Sequence, residues 1–154
     1  MPTEAMTLAT WAQARDPQVE RAKAQLATMP MSSTGRGAQV PWPWFDRTLI
    51  KAKFTNKQIN RAITNAPVKE VDLDELHSIQ HSVKAPHVLW YLDHPDAREE
   101  GHLNPKTNTP DDYPIVLQFD GKLIVWDGNH RLTACALLRR SSADVRLVDL
   151  ERAP

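Results

Sequence analysis

Apolar residues recur at helical spacing near the start of the chain, at positions Val19, Ala22, Leu26 and Met29. Asp16 and Pro17 precede them. This pair starts helices well, because Asp accepts first-turn amide protons and Pro has no amide proton to leave unpaired. The pattern predicts an amphipathic helix that ends before Pro30, with a shorter helical stretch over residues 7–15 ahead of it.

Residues 31–40 are mostly small and polar and include two glycines. This composition is typical of a linker. We therefore expect residues 1–40 to form a helical arm and linker, and residues 41–154 to form the folded domain.

Three aromatic residues, Trp42, Trp44 and Phe45, lie on a segment that two prolines keep extended. Buried aromatic rings supply a large apolar area, so the first interpretation is that they cover the core of the domain. The alternative is a surface that stacks on a base or binds a protein partner.

Thr55 is expected to cap a short helix that turns Ile59 and Ile63 inward. Four cations lie on or just before its outer face, namely Lys51, Lys53, Lys57 and Arg61. A solvated helix face explains these charges, and contact with DNA is the alternative interpretation.

The middle of the chain predicts a strand over residues 68–73, where apolar and polar positions alternate. A short helix is expected next, with Leu76, Ile79 and Val83 inward. Pro86 should open a further helix that ends before Pro95. Residues 97–113 are polar and predict a long loop.

A hairpin is the strongest local prediction. The β-rich runs 114–119 and 122–126 are joined by Asp120 and Gly121, a pair typical of tight hairpin turns. The next helix is apolar over most of its circumference and should be central, and residues 144–150 predict a closing strand. The order of elements indicates an α+β fold, a small mixed sheet with packed helices.

Composition narrows the function classes. The chain has 154 residues, and 41% of them are hydrophobic and 25% charged, which is ordinary for a globular protein. Its formal net charge is zero, which argues against a dedicated nonspecific DNA binder but allows a local basic site. The single cysteine, Cys135, excludes an internal disulfide. Without a signal peptide pattern or a long apolar run, we expect a cytoplasmic protein with no membrane contact.

The chemistry concentrates in the sequence DGNHR at residues 127–131, where a strand turns into a helix. Helix N-termini favour anions, and an arginine offers two parallel donors to a phosphate. Asp127 would cap the helix or hold Mg²⁺, and His130 would carry a proton or donate to a phosphoryl oxygen. A purely structural role, with Arg131 paired to Asp127, is the alternative.

The run 113–150 (YPIVLQFDGKLIVWDGNHRLTACALLRRSSADVRLVDL) and the segment 68–83 (VKEVDLDELHSIQHSV) resemble the ParB/sulfiredoxin-like superfamily. The superfamily's hairpin leads into a helix that opens with a short GxxR-type motif. DGNHR is similar to the DGHHR of relatives that include ADP-dependent free-serine kinases. Asn129 stands where ParB proteins carry a glutamate that supports CTP hydrolysis and where sulfiredoxins carry a cysteine.

The resemblance implies a nucleotide (CTP, ATP or ADP) bound with Mg²⁺. The expected catalytic residues are His130 and Asp127, and Asp127 is also the metal ligand. The expected nucleotide-binding residues are Gly128, Asn129, His130, Arg131 and, from the earlier segment, Gln80. Phosphoryl transfer or hydrolysis is the expected chemistry, in a protein that a phage or plasmid would encode. The alternatives are a binding module with a degenerate nucleotide site and a ParB-like nuclease.

Overall fold

The computed structural model describes residues 16–32, 37–94 and 113–151. The helix predicted over residues 7–15, and almost all of the loop predicted over 97–113, lie outside them. The α-helices of the described part are α1 (Pro17–Ala27), α2 (Arg47–Lys51), α3 (Asn56–Thr64), α4 (Ala85–Asp93) and α5 (Asn129–Leu137).

The strands of the same part are β1 (Ala38–Gln39), β2 (Val68–Asp72), β3 (Leu76–Ser78), β4 (Ser82–Val83), β5 (Ile115–Phe119), β6 (Lys122–Asp127) and β7 (Ser142–Asp149). Five of them form one mixed sheet in the order β2-β7-β5-β6-β3. The pairs β3/β6 and β5/β7 are parallel, whereas β2/β7 and β5/β6 are antiparallel. The predicted α+β class is confirmed.

Local sequence explains the hairpin and the cap of α3. Asp120 and Gly121 have φ of 52° and 71°, the two left-handed residues that match a tight turn to the twist of its strands. At the start of α3 the Gln58 amide donates to Thr55 Oγ1 over 3.1 Å, and the Thr55 amide donates to Gln58 Oε1 over 2.8 Å. This reciprocal capping box satisfies two amides of the helix terminus.

Three apolar clusters define the layers of the molecule. The first joins α1, α4 and α5, the second packs α5 against one face of the sheet, and the third packs α2 and α3 against the other face. Leu132 and Cys135 of α5 contact the sheet, while Ala134 and Leu137 contact the other helices. The predicted central position of this helix is therefore confirmed.

Helix α1 is present as predicted and packs into the first cluster. Ala22 is fully buried and Leu26 is 5% exposed, next to Val88 of α4 and Ala134 of α5. Part of the expected linker is also paired, because Ala38 lies opposite Val83 in the small β1/β4 sheet. The division of the chain at residue 40 stays a prediction, which a truncation tests below.

The helix predicted with Leu76, Ile79 and Val83 inward is wrong. Residues Leu73–Glu75 form one turn of 3₁₀ helix, and two short strands, β3 and β4, follow. Leu76 pairs with Leu123 of β6, so the sheet's hydrogen bonds outweigh the helical spacing of the apolar residues.

Candidate functional site

A cleft of about 480 Å³ lies beside the carboxyl ends of the parallel strands β3 and β6. This edge of a sheet is where open α/β folds commonly bind ligands. All six predicted site residues line the cleft: Gln80, Asp127, Gly128, Asn129, His130 and Arg131. The fold therefore brings Gln80 together with residues 127–131, which follow it by 47 positions or more.

Helix α4 and the end of β6 supply the rest of the wall through Pro86, His87, Trp90, Tyr91 and Trp126. The rings of Trp90 and Tyr91 are perpendicular, with centroids 5.0 Å apart. Trp90 also stacks on His94 at 4.1 Å. The sequence analysis did not predict this wall, although the aromatic residues Trp90 and Tyr91 in the predicted helix could have indicated it.

Gly128 makes the sharp turn from β6 into α5. Its φ is 95°, a left-handed conformation that L side chains rarely adopt. A Cβ at this position would lie 2.7 Å from Cβ and 3.0 Å from Cα of Pro114. Close packing on Pro114 and the left-handed backbone therefore both require glycine.

Asp127 is exposed at the mouth of the cleft, and its Oδ1 accepts a hydrogen bond from the Gly128 amide over 2.9 Å. The N-cap of α5 is Gly128, so the capping role considered for Asp127 is not what the structure shows. Within residues 16–32, 37–94 and 113–151 no three His, Cys, Asp or Glu residues are grouped to hold a metal. A metal at Asp127 would take its remaining ligands from water or from a bound phosphate.

Asn129 is 4% exposed and links α5 to β3. Its Oδ1 accepts from the hydroxyl of the fully buried Ser78 over 2.8 Å. The backbone amide of Gln80 donates to the same Ser78 Oγ over 3.2 Å. The side-chain Nε2 of Gln80 donates to the Ser82 backbone carbonyl over 2.9 Å. Ser78, which sequence reasoning did not select, thus positions two of the predicted site residues.

His130 connects the N-termini of the two helices that flank the cleft. The backbone amide of Lys84, the residue before α4, donates to His130 Nε2 over 3.0 Å. The His87 ring lies edge-on to the His130 ring, with centroids 5.0 Å apart. Since a backbone N–H only donates, Nε2 is unprotonated and the imidazole carries its proton on Nδ1.

Arg131 is 4% exposed and lines two cavities, the cleft and a second one of about 190 Å³. Its guanidinium carbon lies 5.8 Å from the centroid of the Tyr113 ring, and that of Arg146 lies 6.0 Å from the same ring. A buried arginine near the start of a helix adds full charge to the partial charge of the helix terminus.

The three aromatic residues Trp42, Trp44 and Phe45 are divided between the core and the surface. Trp42 and Phe45 are buried, and Trp42 Nε1 donates to the Leu73 carbonyl over 2.7 Å. Trp44 is half-exposed and stacks on His81 at 4.9 Å. Two of the three rings therefore belong to the core.

The four cations considered for DNA contact are all exposed and lie on or near α2 and α3. His77 and His81 are four residues apart, a spacing that would suit a zinc site on a helix, but His77 lies in strand β3. None of the helices in the described ranges is long and apolar enough to cross a membrane.

Comparison of the chain with protein-family models, with curated proteins and with solved structures found no match in any of the three.

Proposed function

We propose that the protein binds a nucleotide, CTP, ATP or ADP, in the cleft between α4 and α5, and that its fold is of the ParB/sulfiredoxin-like kind. One observation carries the proposal. The same cleft has a cationic end, formed by the N-terminus of α5 with the buried Arg131, and an aromatic wall formed by Trp90, Tyr91 and Trp126.

The two ends suit the two parts of a nucleotide. The amides of the first turn of α5 have no partner within the helix and point, with the positive end of its dipole, towards a bound phosphate. Aromatic rings offer stacking to a base of any kind. A simple phosphate ester would use only the first end of the cleft.

Mg²⁺ fits the donor set at the cleft mouth. This ion usually takes one or two protein carboxylates and completes its ligand sphere with water and substrate phosphates. Asp127 is an exposed carboxylate, and its Oδ2 makes no hydrogen bond to any described residue. The ion would neutralise phosphate charge there.

The roles of His130 and Asn129 follow from their hydrogen bonds. With Nε2 engaged by Lys84, the proton that His130 would donate to a phosphoryl oxygen or transfer is the one on Nδ1. Asn129 is an amide and does not act as a carboxylate base. We therefore propose nucleotide binding as the primary activity, with phosphoryl transfer or hydrolysis dependent on His130.

Calorimetric titration of CTP, ATP and ADP, each with and without Mg²⁺, tests the proposal. Arg131→Ala should weaken nucleotide binding roughly ten- to a hundredfold, because it removes a charge-assisted contact. His130→Ala should lower turnover more than affinity. The exposed Lys57→Ala serves as the control. If none of the nucleotides binds, or if Arg131→Ala binds as tightly as the wild type, the alternative of a binding module with a degenerate site replaces this one.

The ParB-like nuclease alternative is checked in the same preparations. A two-metal nuclease needs a cluster of carboxylates around its ions, and no such group occurs in the described ranges. Mg²⁺-dependent cleavage of plasmid DNA that Asp127→Asn abolishes would favour it.

A further inference from the structure

We propose that the surface formed by α2, α3 and their connection binds double-stranded nucleic acid through its phosphate backbone. This basic surface is defined by Arg47, Lys51, Lys53, Lys57 and Arg61. It lies on the opposite face of the sheet from α5, so the proposal does not depend on nucleotide binding in the cleft.

Charge is strongly segregated along this part of the chain. Residues 47–66 contain five cations and no acid, although the chain as a whole is neutral. The rest of the chain therefore carries an excess of five acids. A neutral protein with such a division presents a local positive field without general attraction to polyanions.

These cations are available to a partner. All five are exposed, and none forms an ion pair with an acid of residues 16–32, 37–94 or 113–151. Lys53 Nζ lies 5.6 Å from the centroid of the Phe119 ring. The nearest acid in sequence, Asp46, accepts from the Thr48 amide and hydroxyl at the start of α2.

Helix α3 presents a regular row of polar side chains. Lys57, Asn60, Arg61 and Thr64 are exposed at spacings of three and four residues, whereas Ile59 on the inner face is 1% exposed. The row extends about 10 Å along the helix axis at 1.5 Å per residue. Anchored by Ile59 and its capping box, α3 is a short rigid ridge of the size that a major groove admits.

The side chains between the cations favour nucleic acid over a lipid surface. Amides and hydroxyls such as those of Asn60 and Thr64 donate hydrogen bonds to phosphate oxygens. A helix that lies in a membrane interface needs a continuous apolar outer face. On the basic surface the large exposed apolar side chain is Leu49 of α2, and the outer row of α3 is polar throughout.

Fluorescence anisotropy with a short labelled DNA duplex of mixed sequence tests the proposal at several salt concentrations. Five phosphate contacts predict a slope of log K against log salt of about −4.5. Lys57→Glu/Arg61→Glu should weaken binding at least about tenfold and reduce the slope to about −2.7, because two contacts are lost. Nucleotide binding in the cleft should be unchanged in this variant.

The matched control is Lys69→Glu/Arg139→Glu, which changes the net charge equally at two exposed cations outside the basic surface. It should bind the duplex nearly as well as the wild type. Lys57→Gln/Arg61→Gln repeats the test without introducing acids, and thermal unfolding verifies that each variant is folded. Equal weakening in both Glu variants, absence of binding at low salt, or tighter binding to phosphatidylserine vesicles than to the duplex would overturn the proposal.

Discussion

The cleft and the basic surface are both expected to meet phosphate groups, yet they are built in opposite ways. In the cleft, Asn129 and Arg131 are each 4% exposed, and Asn129 is held by Ser78, 51 residues away in sequence. On the basic surface every cation is exposed, and the cations all come from one stretch of 15 residues, 47–61.

The difference teaches how each surface would recognise phosphate. Buried, pre-positioned donors act at short range and direct a small ligand into one pose, since water is excluded and screening is weak. Exposed lysines act over about 10 Å and are screened by salt. We therefore expect the cleft to bind with weak salt dependence and the basic surface with strong salt dependence.

The largest expected effect is a loss of stability when a buried side chain beneath either region is truncated. Leu26→Ala in α1 and Ile59→Ala in α3 should each lower the free energy of unfolding by about 3 to 4 kcal/mol, because each leaves a cavity in a buried cluster. Urea denaturation measures this loss. Since Leu26 packs beside α4 and α5, only Leu26→Ala should also weaken nucleotide binding in the folded fraction.

Removal of residues 1–40 extends this test to the predicted domain boundary. The buried Ala22 and Leu26 lead us to expect a fragment much less stable than the full chain. A fragment starting at Pro41 that unfolds at the same temperature as the full chain would show instead that α1 is a dispensable arm.

A smaller effect distinguishes the turn of the cleft from the turn of the hairpin. Gly128→Ala should destabilise by about 2 to 3 kcal/mol and weaken nucleotide binding, because a left-handed backbone and contact with Pro114 both oppose the added methyl. Gly121→Ala should lower the free energy of unfolding by only about 1 kcal/mol, since nothing lies within 4 Å of the position that the alanine Cβ would take. If chemical denaturation shows equal losses of unfolding free energy in the two variants, Pro114 moves aside without measurable cost.

How far the sequence predicts this molecule depends on where each element finds its partner. The hairpin at Asp120-Gly121, the capped helix after Thr55 and the helix after Asp16 are correctly predicted because their signals lie within a few residues. The basic surface is equally visible in the sequence. Its helix α3 requires only local spacing to place Lys57 and Arg61 on one face.

Elements with distant partners were harder. The apolar spacing wrongly predicts a helix at strand β3, because the strand's pairing with Leu123–Val125 of β6 lies 47 residues away and outweighs that local spacing. The sequence predicts the DGNHR residues as a site, but it does not reveal that α4 brings Trp90 into the same cleft. The contact of Lys84 with His130 likewise depends on how two helices meet.

Ser78→Ala removes the buried hydrogen bond from Ser78 to Asn129, which supports the cleft and not the basic surface. Loss of the hydroxyl leaves the buried Asn129 Oδ1 without its donor, which should cost about 2 kcal/mol of stability. Nucleotide affinity should fall, and duplex binding should stay as in the wild type. The control is Ser82→Ala. Ser82 accepts from Gln80 through its backbone carbonyl, which the substitution keeps. Equal affinities for nucleotide in both variants would show that Ser78 does not position the site.

The smallest effect concerns Asp46 at the margin of the basic surface. Hydrogen bonds from the Thr48 hydroxyl and backbone amide lower the pKa of Asp46 below the usual value of an aspartate. A carboxyl whose pKa is depressed on folding stabilises the fold above its unfolded pKa, and this contribution is lost as the pH falls through its folded pKa. Compared with Asp46→Asn, the wild type should therefore keep a constant difference in unfolding free energy at neutral pH and lose part of it below about pH 4. At neutral pH the variant should bind the DNA duplex slightly more tightly, because the surface loses its adjacent negative charge, while nucleotide binding should not change. A difference in unfolding free energy that does not vary with pH would mean that the Thr48 hydrogen bonds do not favour the charged form.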